Sequence, residues 1–298
     1  PTRGASVSFG DQGHSVRPPA YHDTPDSPQI TQGSARLDAW WIWHNVNRMG
    51  DMDSDLRADA REPSRGVRAS QVQAGVNRAG MAGMAALFCG LVVLQADWPW
   101  GWIAPPALYL LLWLLVGHLS RGLYPYDRFG PANTVTSIRA ALVCALLGPL
   151  LSGAAAGWAV VLIGTVALAL DGVDGRLARQ SGLVSNFGAR FDMEIDSILA
   201  LLLAAHAFIG TAAGAEVHAL GLIRYVFVAA SVLWPWLAHP LPQRWRRKAI
   251  CVVQLATLII LQIPSVPGDA AIVLSRAAFL LVLYSFAVDV IWLRARRQ

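Results

Sequence analysis

Apolar runs separated by short polar or basic connections dominate the chain from residue 79 onward. Eight of them fall at 79–97, 102–120, 133–152, 155–177, 188–211, 219–238, 248–264 and 269–293, each near the ~20 residues a helix needs to cross a bilayer. In lipid every backbone group needs a partner within its own segment, so runs of this length predict helices. The expected fold is therefore an all-α, polytopic membrane helix bundle. Residues 1–37 are rich in Gly, Ser, Pro, Asp and His without apolar periodicity, and read as a disordered tail. After them, Trp40, Trp41 and Trp43 fit either a membrane interface or a short packing helix. The acidic stretch at 51–62 matches several EF-hand ligand positions, but Leu56 stands where that loop needs Gly, so it reads as a solvated linker. With the basic residues Arg61, Arg65, Arg68 and Arg78, residues 1–78 form an N-terminal tail.

Composition sharpens this picture. The chain has 298 residues, 55% hydrophobic and only 14% charged, with a mean hydropathy of +0.43, which excludes an ordinary soluble domain. The net charge of +5 suits anionic headgroups and phosphorylated substrates, and no nucleic-acid motif accompanies it. Alternate connections carry the positive charge: Arg121 and Arg128, then Arg176, Arg179 and Arg190, then Arg244, Arg246, Arg247 and Lys248, then Arg294, Arg296 and Arg297. By the positive-inside rule, both termini and the 176–190 connection are expected to be cytoplasmic, in a protein of the plasma membrane. Arg224 and Arg276 depart from the pattern and are expected to snorkel outward or to pair with Glu216 or Asp269. Cys89, Cys144 and Cys251 lie in apolar runs without metal-like spacing and read as packing residues.

The chemistry concentrates in DGVDGRLARQSGLVSNFGARFDMEID, residues 171–196. Asp171 with Asp174, and Asp192 with Asp196, lie at three- and four-residue spacing, so each pair shares a helix face. Two helix ends meeting at the connector would gather four carboxylates, whose mutual repulsion is ~4 kcal/mol per pair near a protein surface. Protonation or a bound divalent cation relieves such repulsion. All-oxygen ligands without His or Cys favour Mg²⁺ or Mn²⁺ over zinc. Gly172 and Gly175 let a ligand or a neighbouring helix approach the backbone, and Arg179 can grip phosphate oxygens. In the segment 130–139, Asn133, Thr136 and Arg139 recur every third residue, placing an amide, a hydroxyl and a guanidinium on one face at the expected cytoplasmic boundary. That face can hydrogen-bond a nucleotide or its phosphates, or else Asn133 caps the helix and Thr136 bonds the backbone.

The pattern D-G-x-D-G-x-x-A-R, eight residues, then G-x-x-x-D-x-x-x-D resembles the signature of the CDP-alcohol phosphotransferase family. It is carried by Asp171, Gly172, Asp174, Gly175, Ala178, Arg179, Gly188, Asp192 and Asp196, and the N-x-x-T-x-x-R face resembles the start of the family's first core helix. The resemblance implies a six-helix core over 121–298, with the helices of 79–120 as an addition serving packing, contact with a second copy in a homodimer, or lipid access. It implies a CDP-linked lipid, usually CDP-diacylglycerol, attacked by an alcohol acceptor with release of CMP. Two Mg²⁺ or Mn²⁺ ions would be held by Asp171, Asp174, Asp192 and Asp196, with Asp196 as general base. Gly175, Ala178 and Arg179 would lie along the CDP moiety, with Gly172, Gly188, Asn133 and Thr136 completing the substrate site. Arg139, Arg190 and the basic cluster at 244–248 would hold a phosphorylated acceptor, or that cluster would only anchor topology. Relatives acting on glycerol 3-phosphate carry D-P-x-x-D-K, where this chain has Met193 and Ser197, so the acceptor stays open. A cation transporter and an idle scaffold are the competing functions.

Overall fold

The computed structural model describes residues 65–97, 99–153, 157–239 and 245–295. The tail segments before residue 65, with their tryptophan and acidic stretches, lie outside the described residues, as do Arg244, Arg296 and Arg297. Among the described residues the chain is all-helical: α1 Arg65–Val93, α2 Trp100–Leu123, α3 Pro131–Ala145, α4 Leu147–Leu151, α5 Trp158–Ser181, α6 Asn186–Gly210, α7 Glu216–Leu233, a 3₁₀ turn Pro235–Ala238, α8 Trp245–Ile260 and α9 Gly268–Ala295. Among the described residues seven stretches are long and apolar enough to cross a membrane, α3 and α4 counting as one, and they make this an integral membrane protein. Eight were expected. The eighth run is α8, whose 16 residues rise about 24 Å at 1.5 Å each, short of a hydrocarbon core of ~30 Å.

Helix α3 is the centre of the bundle, with α1, α5 and α6 packed around it. The span that contains it buries 67% of its apolar window, against 50% for α6, the next highest. Small side chains make this possible: Ala140, Ala141, Cys144 and Ala145 are all buried and let neighbouring backbones come close. The other two cysteines also stay free, Cys89 exposed and Cys251 half-buried. Pro149 cannot donate to the carbonyl of Ala145, and the helix breaks at Leu146 between α3 and α4. The fully buried His206 of α6 meets the Leu146 carbonyl oxygen at 2.8 Å, tying that break to the core.

Three boundaries differ from expectation, each for a local reason. Helix α1 starts at Arg65, inside the stretch read as basic linker. Val72, Val76 and Ala79 form a helical stripe that packs on Tyr124, Phe129 and Phe187, burying apolar surface that the charge pattern concealed. Tyr124 accepts a hydrogen bond from the Gly130 backbone N–H at 3.2 Å, and burial holds its hydroxyl above the ordinary pKa and so neutral. Helix α5 runs on to Ser181 because Arg176, Leu177, Ala178 and Arg179 all favour helix. It stops where Gly182 takes φ +66°, the left-handed C-terminal cap. Helix α7 ends at Leu233, where a kink at Pro235 was expected, since the residue before a proline leaves the helical region.

The intramembrane arginines both find partners. Arg276 pairs with Glu216 at 3.5 Å, one of the two acids expected for it. Arg224 pairs with Glu194 of α6, the helix against which α7 packs. In the basic cluster, Arg246 bonds Asp289 at 2.8 Å and Arg247 lies 4.0 Å from it, so these two charges serve α9.

Helix α1 is drawn against α2 by glycines. A Cβ added at Gly83 would lie 1.9 Å from the Tyr109 hydroxyl, which donates to the Gly80 carbonyl at 3.3 Å. We expect Gly83→Ala to destabilise the bundle by about 1–3 kcal/mol, the usual cost of overpacking, measured as a lower melting temperature in detergent, whereas Gly122→Ala, which meets nothing within 4 Å, leaves melting unchanged.

Candidate active site

Three helices supply the site. The N-terminal half of α3 brings Asn133, Thr136 and Arg139, the C-terminal half of α5 brings Asp171 and Asp174, and the start of α6 brings Asp192 and Asp196. Ser185 caps α6 by accepting the Gly188 N–H at 3.0 Å, which fixes where that helix starts and hence where its two aspartates face. The aspartates do not sit at meeting helix ends, as the spacing had led one to expect. Since α5 continues ten residues past Asp171 and seven past Asp174, these two positions lie about 15 and 10 Å below its tip.

At the centre stands Arg139, fully buried, its guanidinium bonded to all four carboxylates. Nη1 donates to Asp171 Oδ1 at 3.0 Å and to Asp174 Oδ2 at 2.9 Å. Nη2 donates to Asp196 Oδ1 at 3.0 Å, to Asp192 Oδ1 at 2.5 Å and to the Asp192 carbonyl at 3.1 Å. Only a planar fork of donors can bridge four acids in this way. Sequence reasoning had turned this arginine toward phosphate. Its spacing reveals the shared face with Thr136 but not what that face meets, and in the structure its Nη atoms are taken up by carboxylates.

The four aspartates are not equivalent. One carboxylate oxygen from each of Asp171, Asp192 and Asp196 lies within 4.8 Å of the others, a geometry able to hold a metal ion. Arg139 engages Oδ1 of each of these three, which leaves Oδ2 available as a ligand atom. Asp174 is outside this group and more buried, held by Arg139 and by the Thr136 hydroxyl at 3.0 Å from Oδ2. Hard anionic oxygens at this spacing fit Mg²⁺ or Mn²⁺.

The remaining predicted residues divide into two groups. A Cβ at Gly172 would meet nothing within 4 Å, and one at Gly175 only Arg179 Nη1 at 3.6 Å, so among the described residues neither glycine is needed for helix packing. The surface above them is open, with Arg179 exposed and Ala178 half-buried beside it. Gly188 is different, since a Cβ there would lie 2.9 Å from Asn133 Oδ1, making this glycine a close contact between α6 and α3. Asn133 is correspondingly buried against α6. Arg190 is half-buried one turn before Glu194 on α6. The Glu194–Arg224 pair, one turn from the acidic group, was not anticipated as part of this neighbourhood.

Removing the guanidinium leaves like charges facing one another without a counter-ion. Arg139→Met in metal-free protein is expected to cost about 3–5 kcal/mol, the range for breaking a buried ion pair. Added Mg²⁺ or Mn²⁺ should restore more of the melting temperature in this variant than in the parent chain, read by thermal unfolding with and without chelator.

A family model described as CDP-alcohol phosphatidyltransferase matches residues 129–290, more than half of the chain, and this stretch takes in every residue that builds the acidic site. No curated protein and no solved structure matches the chain. With the nine signature positions standing on two helices that converge with α3 around one arginine, the chain belongs to the CDP-alcohol phosphatidyltransferase family, membrane enzymes of phospholipid biosynthesis that transfer substituted phosphate groups.

Proposed function

We propose that the protein transfers a phosphatidyl group from CDP-diacylglycerol to an alcohol, releasing CMP, at a site facing the cytoplasm of the plasma membrane. The observation that carries this reading is the convergence of Asp171, Asp192 and Asp196 beside two glycines with open surface above them. One guanidinium against four ionised carboxylates leaves an excess of three negative charges. A single divalent ion leaves one negative charge, and two ions turn the balance positive by one, which suits a pyrophosphate ligand. Bound Mg²⁺ or Mn²⁺ would supply charge neutralisation on the pyrophosphate and polarisation of the attacked phosphorus.

The protein's own groups do the rest. Asp171 and Asp192 would hold the ions, with Asp196 beside them as the base, while Asp174 is fixed by Thr136 and keeps Arg139 in register. With Oδ1 of Asp196 held by Arg139, Oδ2 takes the proton of the acceptor hydroxyl. The hydroxyl oxygen then bonds the phosphorus nearer the lipid, the bond from that phosphorus to the CMP oxygen breaks, and CMP leaves with the electron pair. Gly172 and Gly175 admit the diphosphate, Ala178 and Arg179 lie along the CDP moiety, and Arg190 faces the acceptor. The basic connections set the orientation, with the aspartate end of the bundle inward. Residues 121–298 form the catalytic core and the helices before it an addition.

A cation-transport reading fits less well, because transport sites favour interrupted helices and α5 and α6 run unbroken through all four aspartates. Purified protein in detergent with Mg²⁺ or Mn²⁺, CDP-diacylglycerol and a panel of alcohols should release CMP with one acceptor. Asp196→Asn should lower turnover about 10²- to 10⁴-fold, the contribution of a general base, with melting preserved. Tight CDP binding without turnover on any acceptor would instead leave a scaffold.

A further inference from the structure

Helices α1 and α2 enclose a cleft of about 340 Å³ that shares no residue with the acidic site. Its polar wall is built from Gln73 and Asn77 on α1 and His118 and Arg121 on α2. These side chains are ordered into a relay. Arg121 Nε donates to Gln73 Oε1 at 3.2 Å, and Gln73 Nε2 donates to Asn77 Oδ1 at 3.2 Å. Both bonds consume acceptors. What remains toward the cleft is donor capacity: the two terminal nitrogens of Arg121, the amide nitrogen of Asn77 and the imidazole of His118. Among the described residues no acidic side chain lines the cleft. Gly117 keeps the floor clear, since a Cβ there would press within 3.3 Å of Gln73 Nε2.

The other part of the cleft is apolar. Leu110, Trp113 and Leu114 continue the lining along α2, with Leu110 and Leu114 exposed on the helix surface. From Leu110 to Arg121 is eleven residues of one helix, a rise of about 16 Å. A cationic donor cluster stands in the last turn and apolar side chains lie deeper along the span. This end of α2 is also the aspartate end of the bundle, because Tyr126, just beyond it, donates to the Val184 carbonyl in the connector between α5 and α6.

We propose that this cleft binds an anionic phospholipid, its phosphate held by Arg121, His118 and Asn77 and the start of an acyl chain lying along Leu114 and Leu110. The volume holds a headgroup, a glycerol and the first methylenes of a chain, and a phosphate ester supplies the acceptor oxygens that the relay leaves unmet. Arg121 and His118 take no part in the acidic site, so the lipid site and the transfer reaction stand or fall separately.

Native mass spectrometry of the full chain, released from detergent after incubation with single lipids, tests this. The parent protein should retain one phosphatidylglycerol, and Arg121→Gln with His118→Ala should weaken that binding at least about tenfold, a factor equivalent to 1.4 kcal/mol. Arg121→Lys should recover part of it. Leu114→Trp, which fills the apolar part and leaves the relay intact, should also weaken binding. Diacylglycerol, lacking phosphate, should not be retained, and millimolar inorganic phosphate should not displace the lipid. Equal retention of phosphatidylglycerol by the parent and the Arg121→Gln, His118→Ala variant would overturn the proposal, as would equal retention of diacylglycerol. Displacement by inorganic phosphate would overturn the lipid assignment.

Discussion

The site depends on one buried cation. Arg139 is wholly enclosed and touches every carboxylate of the signature, so the charges that make the site reactive also hold three helices in register. A buried ion pair is expensive to desolvate and is stable only when its hydrogen bonds are complete. Arg139 comes close to that condition, its two Nη atoms bonding four carboxylates and one carbonyl, while its buried Nε is left without a partner among the described residues. The arrangement also explains why Asp174 differs from its neighbours. Thr136 and Arg139 occupy it from one side, which makes it a tie between α3 and α5 and sets it apart from the three aspartates whose oxygens converge within 4.8 Å.

Much of the site was legible in the sequence. Carboxylates at three- and four-residue spacing must share a helix face, and the signature fixed which two helices carry them. The partner of Arg139 was not legible, because an arginine on an apolar helix face looks the same whether it awaits phosphate or carboxylate. Only the packing of α3 between α5 and α6 decides it. The glycines show the same limit. Gly172 and Gly188 both belong to the signature, yet one has open space above it and the other is pressed against Asn133, a distinction that spacing alone does not carry.

For the fold, hydropathy located the bundle and missed its edges. Long apolar runs are unmistakable, but helix ends depend on local propensity and capping, as at Gly182 and Leu233. The stripe of Val72, Val76 and Ala79 was hidden by intervening Gln, Asn and Arg, whose charge and polarity suggested a linker. Helix α8 is shorter than the other spans, yet it leads from Arg246, paired with Asp289 near the end of α9, to the turn before Gly268, which lies against Ala212 just past α6, and so runs from one end of the bundle to the other.

The close seating of α1 on α3 bears on how the family's shared region relates to the whole chain. Similarity begins at residue 129, but the alanine face of α3 is covered by a helix that lies entirely before that point, and Phe129 itself rests on Gly75. The boundary of the family match thus cuts through a continuous interior, and the helices on either side of it share one packed core.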